Sequence, residues 1–166
     1  TVYTPLIETV VKLTGCNLYL ELGVSEGLNI NEVRRCGCRC IGVDNQDGRK
    51  HIEGYEFILK TTNEFFQDFK EKADVIFIDA DHHFEQVKID FINSLNCLSE
   101  HGIIFLHDTD PSRSEFLHEM ACGDSYKIHN WIKQNCPDLN IITLPLTIAG
   151  LTMVNRDKDR RVLKFL

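Results

Sequence analysis

The chain has 166 residues and a net charge of -7, from 25 acidic against 18 Lys and Arg side chains. That length is about one domain, able to bury roughly 70% of its unfolded surface around one core. The acidic balance argues against a nucleic-acid backbone as partner, because phosphate binding needs clustered Lys and Arg. The one basic cluster, Arg156 to Lys164, is interleaved with Asp157 and Asp159 and reads as a solvated end. No apolar run is long enough to span a bilayer, and no basic segment precedes an apolar signal stretch, so no membrane role is expected. The 7 cysteines are odd in number and scattered, which reads as free thiols in a reducing, cytoplasmic setting. Residues 1–166 read as a single domain, and a chain that opens at Thr1 without Met suits a piece of a longer polypeptide.

In chain order, Thr4 and Pro5 look like an N-cap and first-turn proline. They are followed by Leu6, Ile7, Val10, Val11 and Leu13 on one helical face, with Gly15 as the stop. Leu18 to Leu22 is a short apolar run suited to a strand buried on both faces, interrupted by the acid Glu21. Gly23 then permits a tight turn and close approach of a ligand, and Gly27 lets the next helix pack against the strand. The spacing Glu21-x-Gly23-x-Ser25-x-Gly27 lacks the close-set glycine pair of the dinucleotide fingerprint, which aims a helix N-terminus at a pyrophosphate.

A helix from about Glu26 to Arg35 leads to a second strand, Cys40 to Val43, closed by Asp44. Cys36, Cys38 and Cys40 straddle that junction as small half-buried residues; the second Cys-x-x-Cys expected of a zinc site is missing. Asp44 follows Gly23 by 21 positions, where an acid can accept hydrogen bonds from ribose hydroxyls or act as a plain turn residue. From Asn45 to Gly54 there is barely room for a crossover helix before strand three at Tyr55 to Leu59. Thr61 to Glu64 is a capping-box pattern opening a helix with Phe65, Phe66 and Phe69 on its apolar side.

Val75 to Ile78 forms strand four, ending in Asp79-Ala80-Asp81-His82-His83. The following helix carries Phe84, Val87, Phe91, Leu95 and Leu98 toward the sheet, and strand five, Ile103 to Leu106, ends in His107-Asp108. Two strands thus finish in an acid beside a histidine, on the edge where open α/β sheets bind ligands. Asp79 and Asp108 are placed to share a hard divalent cation, for which magnesium suits the oxygen donors. Asp81 could be base, ligand or N-cap, His83 faces solvent, and His107 could ligate metal, orient a loop or be a structural histidine. A polar loop from Thr109 to Gly123, too long for a simple connector, reads as a substrate-side lid. Ser125 to Asn135 is a helix, Ile141 to Leu144 strand six, and Ile148 to Val154 strand seven, reached through Pro145.

The Glu21 to Gly27 motif resembles the first motif of class I S-adenosylmethionine-dependent methyltransferases, and the element order resembles theirs over nearly the whole chain. The resemblance implies a Rossmann-like α/β three-layer sandwich with a seven-stranded, mostly parallel sheet and an antiparallel last strand. It implies S-adenosylmethionine as cofactor, held by Glu21, Gly23, Ser25, Gly27, Asp44, Thr62 and Asp79. The stretch from Ile78 to Glu85, with His107-Asp108 later, is similar to a subgroup of O-methyltransferases acting on small molecules and glycans. Sugar O-methyltransferases of macrolide pathways belong to it.

By that likeness His82, with Asp81 beside it, is the catalytic candidate, and Asp79, Asp108 and His107 would hold Mg2+. Ala80 in place of a glycine, the extra acid Asp81 and a histidine at 107 depart from the pattern. The expected reaction is methyl transfer to a hydroxyl of a small acceptor, a sugar or glycan, and members of the subgroup occur fused to glycosyltransferase domains. The alternatives are a non-catalytic cofactor- or partner-binding domain and a nicotinamide-dependent oxidoreductase.

Overall fold

The computed structural model describes residues 2–50, 54–118 and 120–156. The basic stretch beyond Arg156 therefore lies outside the described residues. Seven strands form one sheet: β1 (Leu18–Leu22), β2 (Arg39–Asp44), β3 (Glu56–Leu59), β4 (Ala73–Ile78), β5 (Leu98–His107), β6 (Asn140–Leu144) and β7 (Leu151–Asn155). Their spatial order is β3-β2-β1-β4-β5-β7-β6. The first five are parallel, and β7 inserts antiparallel between β5 and β6.

The period of two along the strands divides the core into two layers. Leu18, Leu20 and Leu22 of β1 join Ile76, Ile78, Ile104 and Leu106 on one face. That face is covered by Phe65 of α3 (Thr62–Asp68), Val87 and Phe91 of α4 (Phe84–Cys97), and Ile128 and Ile132 of α5 (Lys127–Asn135). Tyr19, Val75, Phe77 and Phe105 point the other way, onto Ile7 and Val11 of α1 (Thr4–Thr14) and Ile30 and Val33 of α2 (Leu28–Val33). Each such side chain contributes about 1.5–3 kcal/mol by leaving water. Helix, sheet and helix are the three layers the patterning implies. No helix among the described residues is long and apolar enough to cross a membrane.

Several boundaries depart from the periodicity. Tyr3, not Thr4, is the N-cap of α1, because the Thr4 hydroxyl is committed to Asn29 across the layer; Gly15 closes the helix in the left-handed conformation as expected. The helix expected over Glu26 to Arg35 is shorter, Leu28–Val33 followed by a 3-10 turn Arg34–Cys36, since the glycine loop extends through Gly27. Leu98 is the C-cap of α4 and at the same time opens β5, pairing with Ala73 before a register shift. The helix expected from Ser125 starts at Lys127, and the last strand starts at Leu151 instead of Ile148. No helix lies between β2 and β3 among the described residues; Lys50 donates its backbone N–H to Glu26 O at 3.0 Å, and Arg49 stacks on Phe57 at 3.7 Å. The connection is thus tied to the glycine loop and to β3.

Candidate active site

The registers of β1, β2, β4 and β5 bring the site together. Val43 pairs with Leu22, Leu22 with Ile78, and Ile78 with Leu106. The next residues along each strand, Asp44, Gly23, Asp79 and His107, therefore stand side by side at the carboxyl edge of the sheet.

Gly23 lies at φ +87°, and a Cβ there would sit 2.1 Å from the Asp79 carbonyl oxygen. Only glycine lets the first loop pass this close to the end of β4. The loop is pinned by Gly23 N–H to Val43 O and Asp79 N–H to Leu22 O, both 2.8 Å, and by the Asp44 carboxylate, which accepts Ser25 N–H at 2.8 Å and Gln46 N–H at 2.9 Å. Gly27, left-handed at φ +79°, is the N-cap residue of α2. Asp44 thus builds the shelf as well as facing the cavity beside it.

Two cavities meet at Gly23. One is lined by Asp44, Thr62, Ala80, Asp81 and Gln86. The other is lined by Tyr3, Glu21, Ser25, Asn29, Phe77 and Asp79. Thr61 forms the capping box with Glu64, so its neighbour Thr62 sits on the first turn of α3, where its hydroxyl accepts from Gln86 at 3.2 Å. Glu21 is 1% exposed and accepts from Tyr19 at 2.6 Å and Asn29 at 2.7 Å. Burial, against those hydrogen bonds, pushes its carboxyl up to about 8.

Next to Asp79, which lines the second cavity, His82 Nε2 lies 3.1 Å from Asp108 Oδ2 and 3.9 Å from Asp79 Oδ1. His107 Nδ1 lies 3.2 Å from both Asp79 Oδ1 and Asp108 Oδ1. Burial alone would lower His107, but the hydrogen bonds with the two carboxylates outweigh it and push the imidazole up to about 10. Burial raises Asp79 despite His107. Asp108, buried as well, is held below the usual range because His107 and His82 face it. Its backbone is left-handed at φ +59°, a strained conformation for a side-chain-bearing residue that stores on the order of 1–3 kcal/mol.

Asp79, His82 and Asp108 each present a donor atom within 4.8 Å of the other two. Two carboxylate oxygens and one imidazole nitrogen at that spacing fit a divalent cation. His107 is engaged with the same two carboxylates from the side. Asp81 stands apart from this group: its carboxylate accepts the His83 backbone N–H at 2.7 Å and faces the exposed His83 ring. The N-cap of α4 is His83, not Asp81, and the free Phe84 N–H is taken at 2.6 Å by Asp124 from the loop before α5.

Four contributors escaped the sequence reading. Asn29 binds Glu21 from inside α2. Tyr3 sets its ring, tilted, 4.8 Å from His107 and 5.2 Å from Phe77. The Cys122 thiol is pushed up to about 12 by burial and by the Asp108 carboxylate near it. Gln86 bridges Thr62 and Asp90. None has a local signal, because each acquires its partner only when distant segments meet.

A sheet of this order with an antiparallel β7, a glycine shelf after β1 and acids closing β2 and β4 defines a Rossmann-like methyltransferase fold. The chain belongs to the family described as a methyltransferase domain, whose profile matches residues 20–109, from β1 to just beyond β5. That membership sets the oxidoreductase alternative aside. No curated protein matches the sequence. Among solved structures the chain is similar to cofactor-bound Rv0187 from MTB, at 13% identity and TM-score 0.78 over 92% of this chain and 78% of that one. An O-methyltransferase from Bacillus cereus in complex with SAH is similar at 18% identity and TM-score 0.73 over 91% and 79%. TomG from Streptomyces achromogenes, an O-methyltransferase involved in tomaymycin synthesis and crystallised with SAM, is similar at 12% identity and TM-score 0.68 over 92% and 78%.

Proposed function

We propose that the chain moves a methyl group from S-adenosylmethionine to a hydroxyl of a small acceptor, a sugar or glycan, with His82 as the base. The observation that carries the reading is the convergence of Asp79, His82, His107 and Asp108 beside the Gly23 shelf. Similarity in fold to O-methyltransferases crystallised with SAM or SAH supports the cofactor and the oxygen acceptor. The sugar or glycan rests on the sequence likeness of Ile78 to Glu85.

S-adenosylmethionine supplies an electrophilic methyl on a sulfonium, and a divalent cation held by Asp79 and Asp108 would polarise the acceptor hydroxyl. The protein's share is positioning and proton transfer. Asp44 and Thr62 line the cavity suited to the adenosyl part, and Glu21 with Gly23 lines the one suited to the cationic amino-acid part. With Nε2 paired to Asp108, His82 takes the hydroxyl proton at Nδ1, and Asp108 stabilises the imidazolium so formed. His107 keeps the neighbouring carboxylates in place through Nδ1, and Tyr3 lines the cavity beside them.

Calorimetry with S-adenosylmethionine, in magnesium and again in EDTA, tests the cofactor. Release of S-adenosylhomocysteine over a panel of hydroxylated acceptors tests the reaction. Micromolar binding with turnover on a sugar is expected; binding without turnover on any hydroxylated acceptor would leave a cofactor-binding domain. Full activity in EDTA would remove the metal from the mechanism.

A further inference from the structure

Glu21 is a buried carboxylate with no cationic side chain in contact among the described residues. Its donors are neutral: Tyr19 OH at 2.6 Å and Asn29 Nδ2 at 2.7 Å on the same oxygen Oε2, with a backbone N–H from Ile30. The titratable groups nearest it are Tyr19 and Asp79, which add no positive charge. Asn29 is itself fixed. Its amide donates one N–H to Tyr19 OH at 2.8 Å and the other to Glu21, and its Oδ1 accepts from the Thr4 hydroxyl at 2.8 Å. Thr4, Tyr19 and Asn29 are 3%, 0% and 5% exposed. A flipped amide would set its oxygen against the Glu21 carboxylate, so the Thr4 hydroxyl selects the orientation that donates to Glu21.

The network crosses three elements, α1, β1 and α2, and ends on the wall of the cavity that Glu21 and Asn29 share with Gly23 and Asp79. A buried carboxyl whose donors are all neutral is costly to ionise, and a cationic ligand group in the adjoining cavity would supply the charge that favours its carboxylate form. We infer that Asn29, oriented by Thr4, is the positioning residue that aims the Glu21 carboxyl at the cationic amino-acid end of the cofactor. This rests on the S-adenosylmethionine reading above.

A double-mutant cycle separates this role from simple support of α2. Asn29→Leu, similar in size, should weaken S-adenosylmethionine binding by about tenfold, as expected for losing a hydrogen bond to a charged group. In a Glu21→Gln background the same change should cost less than about twofold, because the charge it orients is gone. Equal losses in both backgrounds would assign Asn29 a structural role only and overturn the inference. Thr4→Val, which keeps the shape and loses the hydroxyl, should weaken binding by about threefold with Glu21 present and not at all with Gln. It serves if Asn29→Leu does not fold.

A readout independent of the cofactor is the carbon-13 NMR titration of the Glu21 carboxyl in the unliganded protein. Asn29→Leu should displace it upward, and an unmoved titration would overturn the positioning role even if wild type binds no S-adenosylmethionine. Absence of wild-type binding alone would fail the cofactor reading instead.

Discussion

The Asp124 carboxylate accepts the backbone N–H of Phe84 at 2.6 Å, while Asp124 N–H returns to the His82 carbonyl at 3.0 Å. Forty residues apart in sequence, the two segments clamp His82 from both sides. A Cβ on Gly123 would lie 2.2 Å from the same His82 carbonyl oxygen, which shows how closely the loop sits on it. Replacing Asp124 by Ala removes the cap of α4 and should cost about 1 kcal/mol of stability. It should also lower kcat while leaving S-adenosylmethionine affinity near wild type, since the cofactor shelf lies elsewhere. Thermal unfolding and SAH-release assays check the two halves separately.

His82→Ala should reduce turnover by about a hundred- to ten-thousandfold, the range of a lost general base. Calorimetry should find the cofactor bound within about twofold of wild type, a small fraction of the 1.4 kcal/mol that a tenfold change represents. Loss of cofactor binding with normal turnover per bound cofactor would contradict the role of base.

Asp44→Ala should weaken S-adenosylmethionine binding by about ten- to a hundredfold, equivalent to one or two hydrogen bonds involving a charged group. Part of that loss is indirect, because Asp44 also accepts Ser25 N–H and Gln46 N–H and so shapes the glycine loop. Asp44→Asn retains one acceptor oxygen, and calorimetry should place it between wild type and Ala.

Asp90 predicts a pH dependence of stability. It is fully buried, and its Oδ2 has no hydrogen-bond partner. Burial, opposed by hydrogen bonds from Thr62 and Gln86, raises its carboxyl from 3.8 to about 6. The native state therefore binds a proton more tightly than the unfolded chain. Its stabilising effect is full below about 3.8, declines as pH rises, and is gone above about 6. The change is on the order of 3 kcal/mol. Urea unfolding of wild type and Asp90→Asn across that range should show the difference between them changing in this direction and levelling off above it.

Gly23→Ala should abolish cofactor binding and lower the melting temperature. The added Cβ meets the Asp79 carbonyl at 2.1 Å in a conformation at φ +87° that already disfavours a side chain. Thermal unfolding with and without S-adenosylmethionine would reveal it as lost stability together with a lost ligand-induced shift.

The sequence alone determined the class of the fold. Short apolar strands alternating with amphipathic helices leave one way to bury both sheet faces, and Gly23, Asp44, Asp79 and Asp108 at the strand ends announce which edge carries chemistry. Those signals are local, written in period and punctuation. What the tertiary structure decided is who meets whom. It set His82 against Asp108, turned Asp81 out to His83, lent Asp124 to α4 in place of a local cap, and ran the Thr4–Asn29–Glu21 chain between layers. Such partnerships depend on strand register and layer stacking. Neither leaves a trace in residue spacing, because a hydrogen bond across layers constrains geometry and not sequence separation.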